Sequence, residues 1–176
     1  MQKKIVITGG PGTGKTAIIN QLIKLGYNCM QEVSREVTEQ ARKEGFEQLF
    51  LAKPLLFSEL LLKGRIKQFN NAELIKNDLI FFDRGIPDVS CYLDFKNEAY
   101  HSLFKDANKK YKYHTVFILP PWEEIYTSDN IRYESYKESV EIYEHLKAGY
   151  SELGYDLIEV PKGSVEERIH FILEAV

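Results

Sequence analysis

Cysteine is scarce in this chain of 176 residues. Its two cysteines, Cys29 and Cys91, sit in apolar surroundings and lack metal-ligand spacing. That excludes a disulfide framework or a cysteine zinc site and predicts free thiols in a reducing compartment. Long apolar runs are missing too. The opening MQKKIVITGG carries charge, and its apolar stretch is too short for the core of a signal peptide. No later segment reaches the length needed to cross a bilayer, so a cytoplasmic protein with no membrane partner is expected. Neither sign of charge dominates: 23 basic against 26 acidic side chains leave a formal −3, and the basic residues are scattered. Nucleic acid is therefore not expected as a partner. The four histidines, His101, His114, His145 and His170, show no ligand spacing. No repeat or Pro/Gly/Ser-rich linker divides residues 1–176, which are read as one domain.

What the chain does contain is an alternation of strand and helix patterns. Ile5, Val6 and Ile7 read as a buried strand ending at Gly9. A helix is predicted from about Lys15 to Leu25, stopped by Gly26. A weaker strand follows over 27–32, and Ser34 is placed as the cap of a helix running to Arg42. Pro54 suits the first turn of a helix that carries LLFSELLLKGRIKQF. Further strands are predicted over 79–83, 115–119 and 156–160. A long amphipathic helix is predicted over 133–153, and Ser164 with Glu167 forms a capping box for the last helix. The tyrosines at 133, 136, 143 and 150 read as core and rim of the long helix. This order implies an α/β fold whose parallel sheet is covered on both faces. Ligands then gather at the carboxyl ends of the strands, where Gly9, Glu32, Asp83 and Pro120 share one edge.

The stretch GGPGTGKT, from Gly9 to Thr16, matches G-x-x-x-x-G-K-[ST] between a strand and a helix, the setting that this pattern requires. Gly10, Gly12, Thr13, Gly14, Lys15, Thr16 and Ala17 form the expected nucleotide cradle. Backbone N–H groups and the positive end of the helix dipole meet the phosphates there. Lys15 adds a full charge at the β- and γ-phosphates, and the Thr16 hydroxyl suits Mg²⁺. ATP and Mg²⁺ are the expected cofactors.

A phosphate cradle does not by itself separate hydrolysis, regulated binding and phosphoryl transfer, so the other strand ends must discriminate. Asp83 ends an apolar strand, placed either to hold Mg²⁺ or to accept a proton from an attacking hydroxyl. Glu32 ends the second strand and is the rival general base. Arg35, Arg84 and Asp88 are candidate contacts to a second substrate, although an ion pair or a helix-dipole contact would explain each equally simply. The segment PPWEEIYTSDNIRYES, from Pro120 to Ser135, reads as a flap that brings Arg132 to the transferring phosphoryl group. Trp122 reads as a partly buried anchor.

The strand–GGPGTGKT–helix start, EVSRE, FFDRGIPDVSCY and LPPWEEIYTSDNIRYES together resemble a family of small AAA-type ATP-binding domains. That family is similar in fold to nucleoside and nucleotide kinases and includes the ribosylnicotinamide kinase domain of a bifunctional bacterial regulator of NAD biosynthesis. The resemblance implies a P-loop NTPase of three α/β/α layers with a five-stranded parallel sheet in the order 2-3-1-4-5. It implies that Glu32 and Arg35 border the acceptor and that Arg132 lies on the phosphate side. A small-molecule kinase is then the leading expectation, with catalytic Lys15, Glu32, Asp83 and Arg132, and with a nucleotide and a small acceptor as partners. A regulatory nucleotide binder and an ATPase remain the alternatives.

Overall fold

The computed structural model describes residues 2–126 and 134–176. Arg132 and Tyr133 lie outside these residues, as does most of the expected flap. Five strands, β1 (Lys3–Gly9), β2 (Asn28–Met30), β3 (Leu79–Asp83), β4 (Thr115–Leu119) and β5 (Leu157–Glu159), pair in parallel in the order β2-β3-β1-β4-β5. The order implied by the family resemblance is the one observed.

The central strand explains why its sequence is apolar without alternation. From Lys4 to Gly9 every residue of β1 is buried, because helices cover both faces of the sheet. Successive side chains point to opposite faces. Ile5 and Ile7 therefore join Phe81, Phe117 and Leu119 under α1 (Lys15–Lys24) and α8 (Val165–Glu174). Val6, Ile80, Phe82, Val116 and Ile118 face the opposite side. There they pack against α2 (Val33–Lys43), α4 (Pro54–Ala72), α5 (Pro87–Phe95), α6 (Ser102–Lys110) and α7 (Tyr136–Glu152). A single turn, α3 (Leu49–Ala52), leads into α4. No helix of the described residues is long and apolar enough to cross a membrane.

Three local readings change. The cap of α2 is Glu32, whose carboxylate accepts from the Ser34 backbone N–H at 3.3 Å; Ser34 is already inside the helix. A capping carboxylate serves as well as a hydroxyl there and also suits the helix dipole. The long helix starts at Tyr136, because a capping box between Ser135 and Glu138 closes its first turn. Short α6 was hidden in a polar stretch; only Phe104, Ala107 and Asn108 anchor it.

Register brings the strand ends together. Ile7 pairs with Asp83 and Gly9 with Leu119, so the phosphate loop and Asp83 emerge side by side from the sheet.

Candidate active site

The loop from Gly9 to α1 is held open by its own backbone. Gly12 and Gly14 take φ of +77° and +83°, a left-handed conformation that side chains resist. A Cβ on Gly12 would stand 2.5 Å from the Tyr126 ring, so the loop also needs glycine for space. The Thr13 hydroxyl donates to the Gly10 carbonyl at 3.0 Å and closes the turn. Gly14 precedes α1 without any side-chain cap, leaving the first N–H groups of the helix available to an anion. Thr16 and Ala17 lie exposed at the head of α1. On the outer side, the Ser139 hydroxyl of α7 donates to the Pro11 carbonyl at 2.7 Å.

Lys15 is buried, with its ammonium 3.2 Å from Asp83 Oδ1. Burial, then the nearby Arg84 guanidinium, lower its pKa despite the opposing pull of Asp83 and Glu32. The contact lies off a hydrogen-bonding direction, and Asp83 Oδ1 is buried with no hydrogen-bond partner. A carboxylate oxygen with unused acceptor capacity at the strand end next to the phosphate loop, together with the exposed Thr16 hydroxyl at the head of α1, is a donor set suited to Mg²⁺. That ion takes hard oxygen ligands, retains waters and shares substrate phosphates. Thr16 and Asp83 thus fit the expected ion. Among the described residues no cluster of three or more His, Cys, Asp or Glu side chains offers another metal site.

Beyond Asp83 lies a second group of charges, with Arg65 and Asp88 buried and Glu32 and Arg84 half-buried. The Glu32 carboxylate meets Arg84 Nε at 2.6 Å and Arg65 Nη2 at 3.2 Å. Burial raises the Glu32 pKa, but Arg65 and Arg84, with smaller help from Lys15 and the Ser34 N–H, outweigh it and hold the carboxyl at about 2. Arg84 has a φ of +74°, rare for a side-chain-bearing residue. Its own bonds hold it there: the backbone N–H donates to Ile7 at 3.1 Å, and Nη1 donates to the Gly9 carbonyl at 3.0 Å and to Asp88 Oδ1 at 3.3 Å. Burial pulls the Arg84 pKa down, yet Glu32, Asp88 and Asp83 more than reverse this, so the guanidinium stays charged. Asp88 also accepts from the Thr8 and Tyr150 hydroxyls, both at 2.5 Å, and from the Gly85 N–H at 2.9 Å. Its carboxylate therefore braces the Gly85 turn and Arg84.

A cavity of about 610 Å³ opens from Pro11 of the phosphate loop and runs between α2, α4, α5 and α7. Glu32, Arg35, Arg65, Arg84 and Asp88 line it, together with Phe57, Leu61, Val89 and Tyr92. Cavities of this volume accommodate small organic ligands. The sequence-predicted residues thus divide into a loop group (Gly10 to Ala17 with Asp83) and a cavity group (Glu32, Arg35, Arg84, Asp88), with Lys15 at their junction. Arg35 is exposed at the cavity and forms no ion pair among the described residues, with Glu36 or any other acid.

Four contributors escaped the sequence reading. Arg65 is 4% exposed and donates to the Gly85 carbonyl at 2.8 Å. Its signal was available: it stands four residues after Leu61 and four before Phe69, on the buried face of α4. Tyr150 supports Asp88 from beneath. The Tyr92 hydroxyl donates to Glu134 Oε1 at 3.1 Å. Arg168 reaches from α8 to the Thr13 carbonyl at 3.0 Å and lies over the half-buried Trp122 ring at 5.8 Å.

A family model described as an AAA domain matches residues 4–168. The chain belongs to that family. Solved structures share the fold of this AAA domain at low sequence identity. Deoxyadenosine kinase from M. mycoides, with the products dCMP and dCDP bound, is 20% identical with a TM-score of 0.72, covering 98% of this chain and 97% of that one. NadR in complex with NR is 17% identical with a TM-score of 0.72; the match covers 99% of this chain but only 50% of that one. Thymidylate kinase from Candida albicans is 14% identical with a TM-score of 0.69, covering 99% and 90% of the two chains. No sequence match to a curated protein was found. The AAA domain here therefore has a P-loop kinase-like fold, and its structural neighbours are kinases.

Proposed function

We propose that this protein is a small-molecule kinase that transfers the γ-phosphoryl group of ATP·Mg²⁺ to a nucleoside- or nucleotide-like acceptor. The observation that carries this reading is the cavity of about 610 Å³ joined to the phosphate loop, with the Glu32 carboxylate beside it. An ATPase needs only water and has no use for a pocket of that size. The kinase neighbours support the same reading.

Phosphoryl transfer depends on alignment and on neutralising charge over the equatorial oxygens. In the proposed reaction the backbone of Gly10 to Thr16 grips the donor phosphates, and the Lys15 ammonium turns from Asp83 toward them. Mg²⁺ bound through Thr16 and Asp83 would supply further neutralisation of phosphate charge. Glu32 accepts a hydrogen bond from the acceptor hydroxyl and aims its oxygen at the γ-phosphorus. With a pKa held at about 2, Glu32 is a weak base. It therefore takes the proton late, once bond formation to phosphorus has made the hydroxyl acidic. Arg84 and Arg65 keep the carboxylate charged and aimed, and Arg35 contacts the acceptor from the open side. Asp83 is the alternative base, because it is the other carboxylate at the junction. Arg132 remains the proposed phosphate-side arginine.

The test is Glu32→Gln. Nucleoside, nucleotide and sugar acceptors are screened against the wild type by thermal shift with a nonhydrolysable ATP analogue, and transfer to the best acceptor is then followed. Loss of about a hundredfold or more in kcat, with ATP affinity unchanged, is expected from removal of a general base. Normal transfer by the variant would assign the role to Asp83. Rapid ATP turnover that no acceptor alters would count against a kinase altogether.

A further inference from the structure

Arg168 carries a buried charge against the phosphate loop. The residue is 3% exposed, and among the described residues no carboxylate lies within ion-pair distance of its guanidinium. Nη2 donates to the Thr13 carbonyl, the Trp122 ring covers one side, and buried Nε has no hydrogen-bond partner. Burying an unpaired cation is costly, so side chains of this kind normally turn outward or find an acid. Arg168 does neither, because α8 holds it in place. The Ser164–Glu167 capping box fixes the first turn, while Ile169 and Ile172 are packed into the core under the sheet.

Its position explains what the cost maintains. The carbonyl and the following N–H of a planar trans peptide point in opposite directions. By holding the Thr13 carbonyl on the outer side of the loop, Arg168 turns the Gly14 N–H inward, toward the anion cradle. Its Nη1 also stands 2.8 Å from where a Cβ on Gly14 would lie, so the charge rests directly against the loop. The other cations at the loop, Lys15 and Arg84, are already shared with Asp83 and with Glu32 and Asp88. Among the described residues, Arg168 is a cation at the loop with no acid within ion-pair distance.

We propose that Arg168 is a positioning residue of the donor site, which orients the Thr13–Gly14 peptide and places a permanent positive charge behind the phosphate loop. Nucleotide affinity should then depend on Arg168 in proportion to the number of phosphates bound. The inference rests on reading Gly9 to Thr16 as the donor site, but it does not depend on the identity of the acceptor.

The experiment measures binding of ATP, ADP and AMP by calorimetry to the wild type, Arg168→Gln and Arg168→Lys, with thermal melting of each ligand-free protein. Arg168→Gln should weaken ATP about tenfold, the scale of one partly screened charge contact, ADP less, and AMP least. Arg168→Lys should restore most of the ATP affinity. The ligand-free Gln variant should melt no lower than the wild type, since it removes an unbalanced buried charge. Equal loss for all three nucleotides with a lowered melting temperature would overturn the inference in favour of simple packing, as would unchanged ATP binding by Arg168→Gln. Should the Gln variant fail to fold, the Lys variant decides: weak ATP binding there overturns the charge role. A wild type that binds none of the three nucleotides defeats the donor-site reading itself, before any substitution is compared.

Discussion

Glu32 stays ionised inside the protein because Arg65 and Arg84 face it, and this makes its charge a source of acid sensitivity. Its carboxyl drops from an ordinary 4.5 to about 2 on folding. A depressed carboxyl stabilises the native state fully above the unfolded pKa and loses that contribution as pH falls through the folded one. The window therefore runs from about pH 4.5 down to about 2. The fall from 4.5 to about 2 corresponds to about 3 kcal/mol. Melting curves recorded between pH 6 and pH 2 should show the wild type losing more stability than Glu32→Gln over that window; parallel curves would contradict the pairing. At this scale the sequence was partly legible. Gly10 to Thr16 and Asp83 could be placed because a strand feeds them directly into one edge. Arg65 and Tyr150 reach the site from the middle of long helices, and their contacts depend on helix rotation that spacing alone does not set.

The contact between α5 and α7 is the tightest test of how the elements hold the site. Gly149 of α7 faces Cys91 of α5, and an added Cβ would stand only 2.4 Å from Cys91 Sγ. The same pair of helices carries Asp88 and Tyr150, whose hydrogen bond braces Arg84. Gly149→Ala should therefore cost about 1–3 kcal/mol through overpacking. In urea denaturation, Cys91→Ala combined with Gly149→Ala should recover part of that loss. Additive losses would show that the two residues do not crowd one another. Elements with strong local signals were readable in advance: the apolar run of β3, Pro54 opening α4, and the Ser164 box of α8. The weaker ones were not. Glu32 looked like a strand-end acid and proved to cap α2, whereas Ser135, set in a polar stretch, gave no apolar period to mark it as a cap.

At the scale of the whole molecule, the alternation of strands and helices was enough to place the phosphate loop and Asp83 at one edge of a parallel sheet. The strand order came from the family resemblance, since spacing alone does not order strands. The cavity was not legible, because it forms between α2, α4, α5 and α7, whose mutual packing no single segment specifies.

The two-sided core described above has a further bearing on how damage to this protein should present itself. The helices of the phosphate loop, α1 and α8, rest on one apolar layer, while those around the cavity rest on the other. Lesions should then sort by the side of the sheet they strike, even when they cost the same. Leu22 and Leu62 are both fully or nearly fully buried, one in each layer. Replacing either with alanine should destabilise by about 2–5 kcal/mol. At a temperature where both variants remain folded, Leu22→Ala should mainly weaken ATP binding and Leu62→Ala mainly acceptor binding, as separate titrations would measure. Each ligand would thus report on the health of its own half of the interior.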